Sequence, residues 1–363
     1  MFNLSNTLTE SEKLQLELRE LYIQNGYKRY LVSKFEEYDL YANNKDFLMS
    51  NRVITFTDTD GKLMALKPDV TLSIVKNSKD NDAGTLKIFY DENVFRISKD
   101  SLNFKEINQT GLECLGEIDD FKIIEVMSLA VQSLDKISGK NALNVSDLDI
   151  VLSVLDTAEI VGADRAYVLG LISAKNVHGI EEFCSLKNVN DADAKRLQIL
   201  ASLRGKISKV ENSLKELAES CEQKERIDSF IKIIKFLSQK FGEEKINVDF
   251  SIISDTNYYN GITFNGVIEG VPTTVLSGGR YDKLMKRLKR KAGAIGFAIY
   301  LDALSKVLVP ENLNVIDAVV LYSENSDIQE VFAKAEEIKL QGKTVSIMKD
   351  NAKIEAGIVV DLR

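Results

Sequence analysis

Histidine and cysteine are both scarce in this chain of 363 residues, which contains one histidine and three cysteines. Cys114, Cys184 and Cys221 form no CxxC pair, so structural zinc is not expected, and their odd number suits a reducing compartment. The single histidine, His178, lies in a polar segment, and we interpret it as an incidental surface residue. A nucleophile–histidine pair or a histidine-rich metal site would depend on this one side chain, so we expect neither a metal nor a cofactor.

Long apolar runs and a recognisable leader are also absent. No run approaches the roughly 18 apolar residues that a membrane-spanning helix needs. The N-terminal residues MFNLSNTLTESEK lack the basic region and the apolar stretch of a secretory signal. We therefore expect a cytoplasmic protein that does not contact a membrane.

The overall composition is that of an ordinary soluble globular protein, with 44% hydrophobic residues, 28% charged residues and a net charge of −8. One dense basic block, KLMKRLKRK at residues 283–291, interrupts this acidic background. It is compatible with a phosphate-contacting patch or with the solvated face of a short helix, and we favour the second interpretation. Neither a P-loop nor a dinucleotide fingerprint is present, because GAIGF does not match GxGxxG.

Local patterns predict alternating helices and strands in the first part of the chain. A capping box, TESE at residues 9–12, begins a helix that ends at Gly26, and YKRYLVSKF is predicted to follow as a strand. An Asp60-Gly61 turn predicts a hairpin between VITFTD and KLMALKPD. A helix is expected to begin at residues 71–76, and two strands, LKIFYDENVFRIS and INQTGLECLGE, precede a helix at residues 118–134.

The second part of the chain begins with residues 147–242, which are predicted to be almost wholly helical. They interrupt two strand-rich regions, so we interpret them as an inserted subdomain. Strands then resume in INVDFSIIS and in GITFNGVIEGVPTTVLSGG, a hairpin with Gly270 at its turn, and GAIGFAIYLDALSKVL predicts a strand that continues into a helix. Beyond Pro310 we expect a small β-α-β module whose helix has one apolar face, formed by Ile328, Val331, Phe332, Ala335 and Ile338. The predicted fold class is α+β, with a mixed, mostly antiparallel sheet flanked by helices.

Five short segments are unusually polar or glycine-rich for strand ends and tight turns: LKPDVT (66–71), FRIS (95–98), NQTGLE (108–113), TNYYNGITF (256–264) and LSGGRYDKL (276–284). On a strand, Gln109, Gly111 and Glu113 point to the same face. Such a face suits the floor of a polar pocket, in which the glycine leaves room for a ligand. An exposed strand face is the alternative, and the tyrosine pair and the two glycines are also compatible with ordinary packing and an ordinary turn.

Taken in order, these segments resemble the class II aminoacyl-tRNA synthetases, specifically the catalytic domain of the histidyl-tRNA synthetases. FTDTDGKLMALKPDVT resembles the family's stretch ending in L-R-P-E/D-x-T, and YDENVFRIS with KEINQTGLECLGE resembles motif 2. SDTNYYNGITF and LSGGRYDKL are similar to the two histidine-specific motifs, and GAIGFAIYLDAL is similar to motif 3. The resemblance covers about residues 10–310 and includes a helical insertion at the family's position. It implies a class II synthetase-like domain at residues 1–312 and a truncated anticodon-binding-like module at residues 313–363.

Position by position, the resemblance implies that the amino-acid pocket is largely retained. Asp69, Thr71 and Gln109 match residues that hold the α-ammonium group of the substrate. Arg96 matches the motif 2 arginine on the carboxylate side. Glu113 and Tyr259 match the pair that recognises the imidazole ring, and the adjacent Tyr258 belongs to the same expected histidine-binding set. Acceptor groups suit an ammonium and an arginine fork suits a carboxylate, so the assignment is chemically consistent.

The same matching implies that the ATP-activating side chains are missing. The catalytic arginine of the first histidine-specific motif falls at Ser254, the motif 3 arginine at Ala303, and the adenine-contacting glutamate at Ser98. The motif 2 loop, KDSLNFK, is shorter by one residue and holds no arginine, and the motif 1 proline is absent from YLVSKFEE. Serine and alanine cannot supply a bidentate cation, so we expect no catalytic residues.

A synthetase-like domain that keeps the histidine pocket and loses the ATP site resembles the family of ATP phosphoribosyltransferase regulatory subunits. The resemblance implies a subunit without its own active site, acting in the first step of L-histidine biosynthesis. Its implied partners are the short-form ATP phosphoribosyltransferase catalytic subunit, a second copy of itself within a hetero-oligomer, and L-histidine as a feedback ligand, with no tRNA. The alternatives are an atypical histidine–tRNA ligase and a stand-alone histidine sensor.

Overall fold

The computed structural model describes residues 8–44, 53–78, 84–97, 103–253, 258–304, 307–308, 316–349 and 356–363. Contacts divide the chain into two compact units, Glu17–Val307 and a second that combines Leu308–Arg363 with Met1–Leu16. Within the described residues, no helix is both long enough and apolar enough to cross a bilayer. His178 is exposed beside Glu181 and Glu182, as the sequence predicts.

The helices are α1 (Glu10–Gln24), α2 (Tyr38–Ala42), α3 (Val70–Asn77), α4 (Asp120–Ile137), α5 (Leu148–Thr157), α6 (Gly162–Ser173), α7 (Val177–Lys187), α8 (Asp191–Ser202), α9 (Ile207–Lys215), α10 (Cys221–Phe241), α11 (Asp282–Arg287) and α12 (Ile328–Leu340). The strands are β1 (Lys28–Arg29), β2 (Phe35–Glu37), β3 (Thr55–Thr57), β4 (Leu63–Leu66), β5 (Leu86–Ile97), β6 (Phe104–Gly116), β7 (Asn141–Asp147), β8 (Arg204–Gly205), β9 (Ile246–Asp249), β10 (Ile262–Ile268), β11 (Leu276–Arg280), β12 (Gly293–Tyr300), β13 (Ile316–Tyr322), β14 (Val345–Met348) and β15 (Ala356–Leu362). Two short 3-10 turns lie at Glu243–Lys245 and Leu301–Leu304.

Side-chain caps explain where several helices begin. Thr9 and Glu12 form the predicted capping box before α1, since each backbone N–H donates to the other's side chain. Asp69 caps α3 by accepting from the N–H of Leu72, 2.8 Å away. This cap fixes the direction in which the chain enters α3, and it thereby places Asp69 and the start of the helix beside the large sheet.

A nine-stranded sheet forms the centre of the larger unit, in the order β1-β5-β6-β12-β11-β10-β7-β9-β8. The β1–β5 and β7–β9 pairs are parallel and the other pairs are antiparallel. The predicted mixed, mostly antiparallel sheet is therefore confirmed. In the long β5–β6 hairpin Tyr90 lies opposite Gly111, and on the other side of β6 Gly296 lies opposite Glu113, so these residues share one face.

The predicted strand at residues 27–35 is wrong in part, because the chain changes sheets within it. β1 contains only Lys28–Arg29, and β2 begins at Phe35 in a separate sheet of order β2-β4-β3. Between them, the N–H of Val32 donates to the Glu92 carboxylate at 3.1 Å, instead of joining a strand ladder. The hairpin within this second sheet is as predicted, with Gly61 at a φ of 81° in the turn.

Two further predictions differ from the structure at the end of a strand. INVDFSIIS is a strand only as far as Asp249, because the Asp249 carboxylate accepts from the backbone N–H and the hydroxyl of Ser251 and turns the chain there. GAIGFAIYLDALSKVL forms β12, but β12 is followed by the 3-10 turn Leu301–Leu304, and residues 305–306 lie outside the described part. Residues 147–242 contain α5 to α10 and the two-residue strand β8.

The smaller unit contains a parallel sheet of order β14-β13-β15, with α12 packed on one face. Val331, Ala335 and Ile338 of α12 are buried against that face, as predicted. Ile328 and Phe332 are not, because they are 75% and 56% exposed. A sheet of three strands covers only a narrow stripe of the helix, so the predicted apolar face is broader than the one that is buried.

Candidate functional site

The predicted binding residues converge on one face of the nine-stranded sheet. Gln109 and Glu113 of β6 are 3% and 2% exposed. The hydroxyl of Thr71, in the first turn of α3, donates to the Glu113 carboxylate, and Tyr258 in turn makes a hydrogen bond with Thr71. The rings of Tyr258 and Tyr259 are in contact, with centroids 4.6 Å apart. The structure thus brings residues from three distant segments together.

Glu113 lies at the buried end of this group. Its two carboxylate oxygens accept hydrogen bonds from the Thr71 hydroxyl at 2.7 Å and from the Tyr281 hydroxyl at 2.6 Å. Burial raises the pKa of Glu113 to about 8, the two hydroxyl donors lower it, and the charge of Asp69 raises it further. The carboxyl group is therefore held by neutral donors in a setting that disfavours its ionised form.

Three glycines on this face of the sheet make room for side chains of the protein itself. A Cβ at Gly296 would collide with the Glu113 carboxylate, and a Cβ at Gly279 would lie 2.8 Å from the Tyr259 ring. A Cβ at Gly111 would lie 2.6 Å from the hydroxyl oxygen of Tyr90. The sequence-based interpretation that Gly111 leaves room for a ligand is wrong, because Tyr90 fills that space.

Asp69 and Arg96 lie together at the other end of the group. The Nε of Arg96 donates to the carbonyl of Pro68 at 2.9 Å, which places the guanidinium beside Asp69. Desolvation raises the pKa of Asp69, while the Leu72 N–H and the Arg96 charge act in the opposite direction. A carboxylate that is partly exposed and a guanidinium next to it form a polarised pair suited to the two charged groups of an α-amino acid.

Tyrosine side chains form the walls between these two ends. Burial and nearby carboxylates raise the pKa of Tyr90, Tyr258 and Tyr281 well above the ordinary range. Tyr259 and Tyr300 both make hydrogen bonds with Ser277, and burial raises the pKa of each. All five hydroxyls therefore remain neutral at physiological pH, so this wall contributes dipoles and ring faces rather than charge.

The floor of the site rests on a buried ion pair that the sequence motif alone did not reveal. Lys67 is completely buried, and its Nζ lies 2.8 Å from a Glu92 carboxylate oxygen. The carbonyl of Lys67 accepts from Phe95 of β5, and its N–H donates to Lys34. The pair therefore fixes the Pro68-Asp69 segment against β5, and removing either partner would leave a buried charge without compensation.

Three further tyrosines of the site were not predicted. Tyr281 follows directly after the GGR of LSGGRYDKL, and Tyr90 is placed by its register opposite Gly111. Tyr300 lies opposite Gln109 on β12. Strand pairing supplies the information that was lacking for Tyr90 and Tyr300, whereas Tyr281 lies within the segment LSGGRYDKL, which the sequence already marks as unusual.

Of the three positions that the resemblance matches to activating side chains, one lies within the described residues. Ala303 lies in the 3-10 turn Leu301–Leu304, whereas Ser98 and Ser254 lie outside the described residues. In the part of the chain that the structure describes, no group of three or more histidine, cysteine or acidic side chains could hold a metal ion. The basic block forms the short helix α11 and its continuation, with Lys286 and Arg287 exposed and Leu284 and Met285 buried, as a solvated helix face requires.

The family model for histidyl-tRNA synthetase matches residues 2–304 of this chain. An ATP phosphoribosyltransferase regulatory subunit from Clostridium novyi is 30% identical over 345 residues, covering 90% of this chain and 80% of that protein. A regulatory subunit of the same name from Thermoanaerobacter pseudethanolicus is 28% identical over 344 residues, covering 92% of this chain and 89% of that protein.

A solved structure has the same fold over almost the whole chain. It is described as an ATP phosphoribosyltransferase regulatory subunit/histidyl-tRNA synthetase from Bacillus halodurans C. The superposition has a TM-score of 0.82 at 21% identity and covers 97% of this chain and 93% of that one. The fold is thus the class II synthetase type found in histidyl-tRNA synthetases, as the sequence motifs predict.

Proposed function

Because this chain belongs to the histidyl-tRNA synthetase family and, within it, to the ATP phosphoribosyltransferase regulatory subunits, we propose that it is a non-catalytic subunit of that transferase. In this proposal it is required for the activity of a short-form catalytic subunit, and it binds L-histidine as the feedback signal. The observation that carries the proposal is the buried Glu113, held by Thr71 and Tyr281, together with the Asp69–Arg96 pair, whose carboxylate acts on Glu113 through its charge. Such a site recognises a side chain and an amino-acid backbone separately.

The two ends of the site suggest how histidine would be oriented. Asp69, Thr71 and Gln109 would hold the α-ammonium group, and Arg96 would hold the α-carboxylate through charge-assisted hydrogen bonds. Glu113 and Tyr259 would then meet the two nitrogens of the imidazole ring, with Tyr258 packed against Tyr259. A smaller or purely apolar side chain would make no hydrogen bond with Glu113, so it would gain none of the recognition that an imidazole ring gains there.

The absence of catalysis is supported by the residue types at the family's activating positions. Ser98, Ser254 and Ala303 carry no positive charge, although amino-acid activation builds negative charge on a phosphate. The loss of one preorganised contact of this kind typically costs about 3–4 kcal/mol of transition-state stabilisation. A chain without two such arginines would retain very little activation activity, even when the effects are not additive.

Feedback inhibition requires that histidine bind two arrangements of the hetero-oligomer with different affinity. We place this chain in such an assembly as a dimer that meets the catalytic subunit. Residues 313–363 would serve as a reduced form of an anticodon-binding domain without a tRNA to bind. Histidine would shift the assembly towards the less active arrangement only to the extent of its differential affinity.

Reconstitution with a short-form catalytic subunit tests the proposal directly. The purified chain should raise phosphoribosyl transfer from background to a measurable rate, and added L-histidine should lower that rate. The control is the catalytic subunit with an unrelated protein of similar charge. If the chain forms no complex and no activity appears at any mixing ratio, the proposal is wrong.

A histidine–tRNA ligase is the second candidate, since the matching family model carries that description. Histidine-dependent exchange of pyrophosphate into ATP by this chain alone would establish the ligase and exclude the regulatory role. A stand-alone histidine sensor would bind histidine but would neither catalyse this exchange nor activate a catalytic subunit. The two assays therefore separate all three functions.

A further inference from the structure

Glu113 is a buried carboxyl group whose hydrogen bonds come from neutral groups. Thr71 and Tyr281 donate to its two oxygens at 2.7 and 2.6 Å. Glu113 is 2% exposed, so water does not stabilise a negative charge on its carboxyl group. A ligand group that reaches Glu113 must therefore satisfy a carboxyl group in a low-dielectric setting.

The groups that face Glu113 from the surrounding elements are also neutral or negative. From the start of α3 it faces Thr71 and the Asp69 carboxylate, which raises its pKa. The charge of an ionised Glu113 would raise the pKa of four tyrosines: Tyr90 on β5, Tyr258 and Tyr259 before β10, and Tyr281 after β11. On β12 it lies against the bare α-carbon of Gly296.

The two cations named beside Asp69 act on carboxylates other than Glu113. Arg96 and Lys67 lower the pKa of Asp69, and Lys67 is in addition paired with Glu92. Burial raises the pKa of Glu113 to about 8, and the groups named as lowering it are the two neutral hydroxyls of Tyr281 and Thr71. Without a ligand, Glu113 therefore keeps its proton up to a pH of about 8, and it can donate a hydrogen bond as well as accept one.

We propose that bound histidine and Glu113 hold one proton between them, so that the pocket selects a side chain that can both give and take a proton near neutral pH. The inference rests on the proposed function, in which histidine is the ligand. The proton lies either on a Glu113 oxygen or on the ring nitrogen that faces it. No second proton fits between the two groups, and their two lone pairs would repel each other if the proton were absent.

Three pH ranges follow from this arrangement. Between the pKa of free imidazole, about 6.5, and that of Glu113, about 8, the free partners already hold one proton in total, so binding exchanges none with solvent. Above this window both partners are deprotonated and binding takes up one proton. Below it both are protonated and binding releases one. The affinity should fall by up to tenfold per pH unit on either side.

The shared proton also explains selection against other polar amino acids. Lysine and arginine side chains keep their proton at neutral pH, so they would require the buried Glu113 to ionise. An amide side chain is neutral at all relevant pH values, so its affinity would not fall at low pH. We call this fall at low pH the acidic limb of the affinity profile, and the fall at high pH the basic limb. An imidazole is the side chain whose titration overlaps that of Glu113.

Calorimetric titration of the full chain with L-histidine between pH 5.5 and 9 tests the inference. Each pH is measured in two buffers of different ionisation enthalpy, which gives the number of protons exchanged. We expect an exchange close to zero near pH 7, uptake approaching one proton towards pH 9, and release approaching one proton towards pH 5.5. A full proton taken up or released at pH 7, or an affinity that does not change with pH, would overturn the shared proton.

Two substitutions assign the limbs of the profile to their groups. Glu113→Gln should remove the proton uptake that Glu113 causes on binding. At high pH the affinity should then fall only because the ligand's own α-ammonium group loses its proton. Tyr281→Phe removes a donor that lowers the pKa of Glu113, so it should move the basic limb to higher pH and leave the acidic limb in place. Glu117→Gln, an exposed carboxyl just after β6, is the matched control and should leave both limbs unchanged.

A histidine analogue with a weakly basic ring, 1,2,4-triazole-3-alanine, tests the ligand's share of the proton. It should bind without the acidic limb and keep the basic limb. If the wild-type chain binds no histidine at any pH, both the proposed function and the shared proton are wrong. If it binds histidine with a flat pH profile, only the shared proton is wrong.

The stability of the unliganded chain gives a second measurement. The folded-state pKa of Glu113 lies above its unfolded value of 4.5, so its contribution to stability is complete below pH 4.5 and is lost as the pH rises towards 8. In denaturant titrations, the ratio of the wild-type folding constant to that of Glu113→Gln should fall by about tenfold per pH unit between pH 5 and 7.5. A ratio that stays constant over this range would show that Glu113 is ionised in the folded chain and would overturn the inference.

Discussion

The amino-acid end and the ATP end of this synthetase-type site differ in what they retain. At the amino-acid end, Glu113 is buried and its two oxygens are both bonded, and Gly296 leaves space for its carboxyl group. At the proposed ATP end, Ala303, Ser98 and Ser254 occupy the positions that the resemblance matches to activating residues, so in our proposal this end lacks their side chains. The amino-acid end depends on several residues that pack against one another. The ATP end, in our proposal, lacks individual arginines that did not depend on such packing.

This difference separates binding from catalysis in physical terms. A buried recognition group is tied to the packing around it, so its loss would disturb the fold as well as the ligand. A cation that stabilises only a transition state contributes nothing to the bound ground state. A cation of this kind can therefore be lost without affecting histidine binding, whereas a buried recognition group cannot.

The largest expected effect is that of Glu113→Ala on histidine binding. The substitution removes the carboxyl group that would hydrogen-bond the imidazole ring, and it removes the group to which the Thr71 and Tyr281 hydroxyls donate. We expect the dissociation constant for L-histidine to rise at least about 100-fold, which corresponds to roughly 3 kcal/mol. Calorimetry measures this, and Glu117→Ala serves as the exposed control, for which no change is expected. An unchanged affinity in Glu113→Ala would remove Glu113 from the site.

Arg96→Ala should have the next largest effect. The guanidinium is anchored on the Pro68 carbonyl, and in the proposed pose it forms charge-assisted hydrogen bonds with the ligand's α-carboxylate. Losing them should weaken histidine binding by about 10- to 100-fold. In the control Arg287→Ala, an exposed arginine that contacts the Asn43 carbonyl, the affinity should stay within twofold. Imidazole alone should bind equally to both variants, because it has no carboxylate, and a large loss there would contradict the pose.

Gly296→Ala tests the fit at the amino-acid end without changing any group proposed to touch the ligand. A methyl group at Gly296 would collide with the Glu113 carboxylate and press against the Leu112 carbonyl. We expect the unfolding free energy to fall by about 1–3 kcal/mol and the histidine affinity to fall by about tenfold, since Glu113 must rotate away. Gly139→Ala, where a Cβ would meet nothing within 4 Å, is the matched control. Equal affinities in the two variants would contradict the fit.

The same asymmetry shows which features could be predicted from the sequence. Spacing of two along β6 placed Gln109, Gly111 and Glu113 on one face, and the motif order placed Asp69, Arg96 and Tyr259 with them. These assignments use local periodicity and residue chemistry, which a sequence displays directly. The Asp60-Gly61 hairpin was predictable for the same reason, because positive φ at a turn has a strong residue preference.

The features that were missed depend on contacts between strands that are distant in the sequence. Tyr90 fills the space at Gly111 only because β5 pairs with β6 in that register. β1 ends at Arg29, and beyond it the N–H of Val32 donates to a side chain, the Glu92 carboxylate, rather than to a neighbouring strand. Neither pairing leaves a periodic signal, so the sequence predicted an open pocket floor and a continuous strand where the structure has neither.

The smallest expected effect is that of Ala303→Arg, which returns one cation to the ATP end. Ala303 lies in the 3-10 turn after β12, and the pocket residues of the proposed histidine pose do not include it. The histidine dissociation constant should therefore change by less than about twofold, well under 1 kcal/mol. Pyrophosphate exchange should stay at background, because the sequence still has serines at the two other activating positions and one contact restores only part of the lost stabilisation. Ala303→Gln, a neutral side chain of comparable reach, controls for bulk. Measurable exchange in Ala303→Arg but not in Ala303→Gln would mean that the ATP end retains more of its function than its residue types indicate.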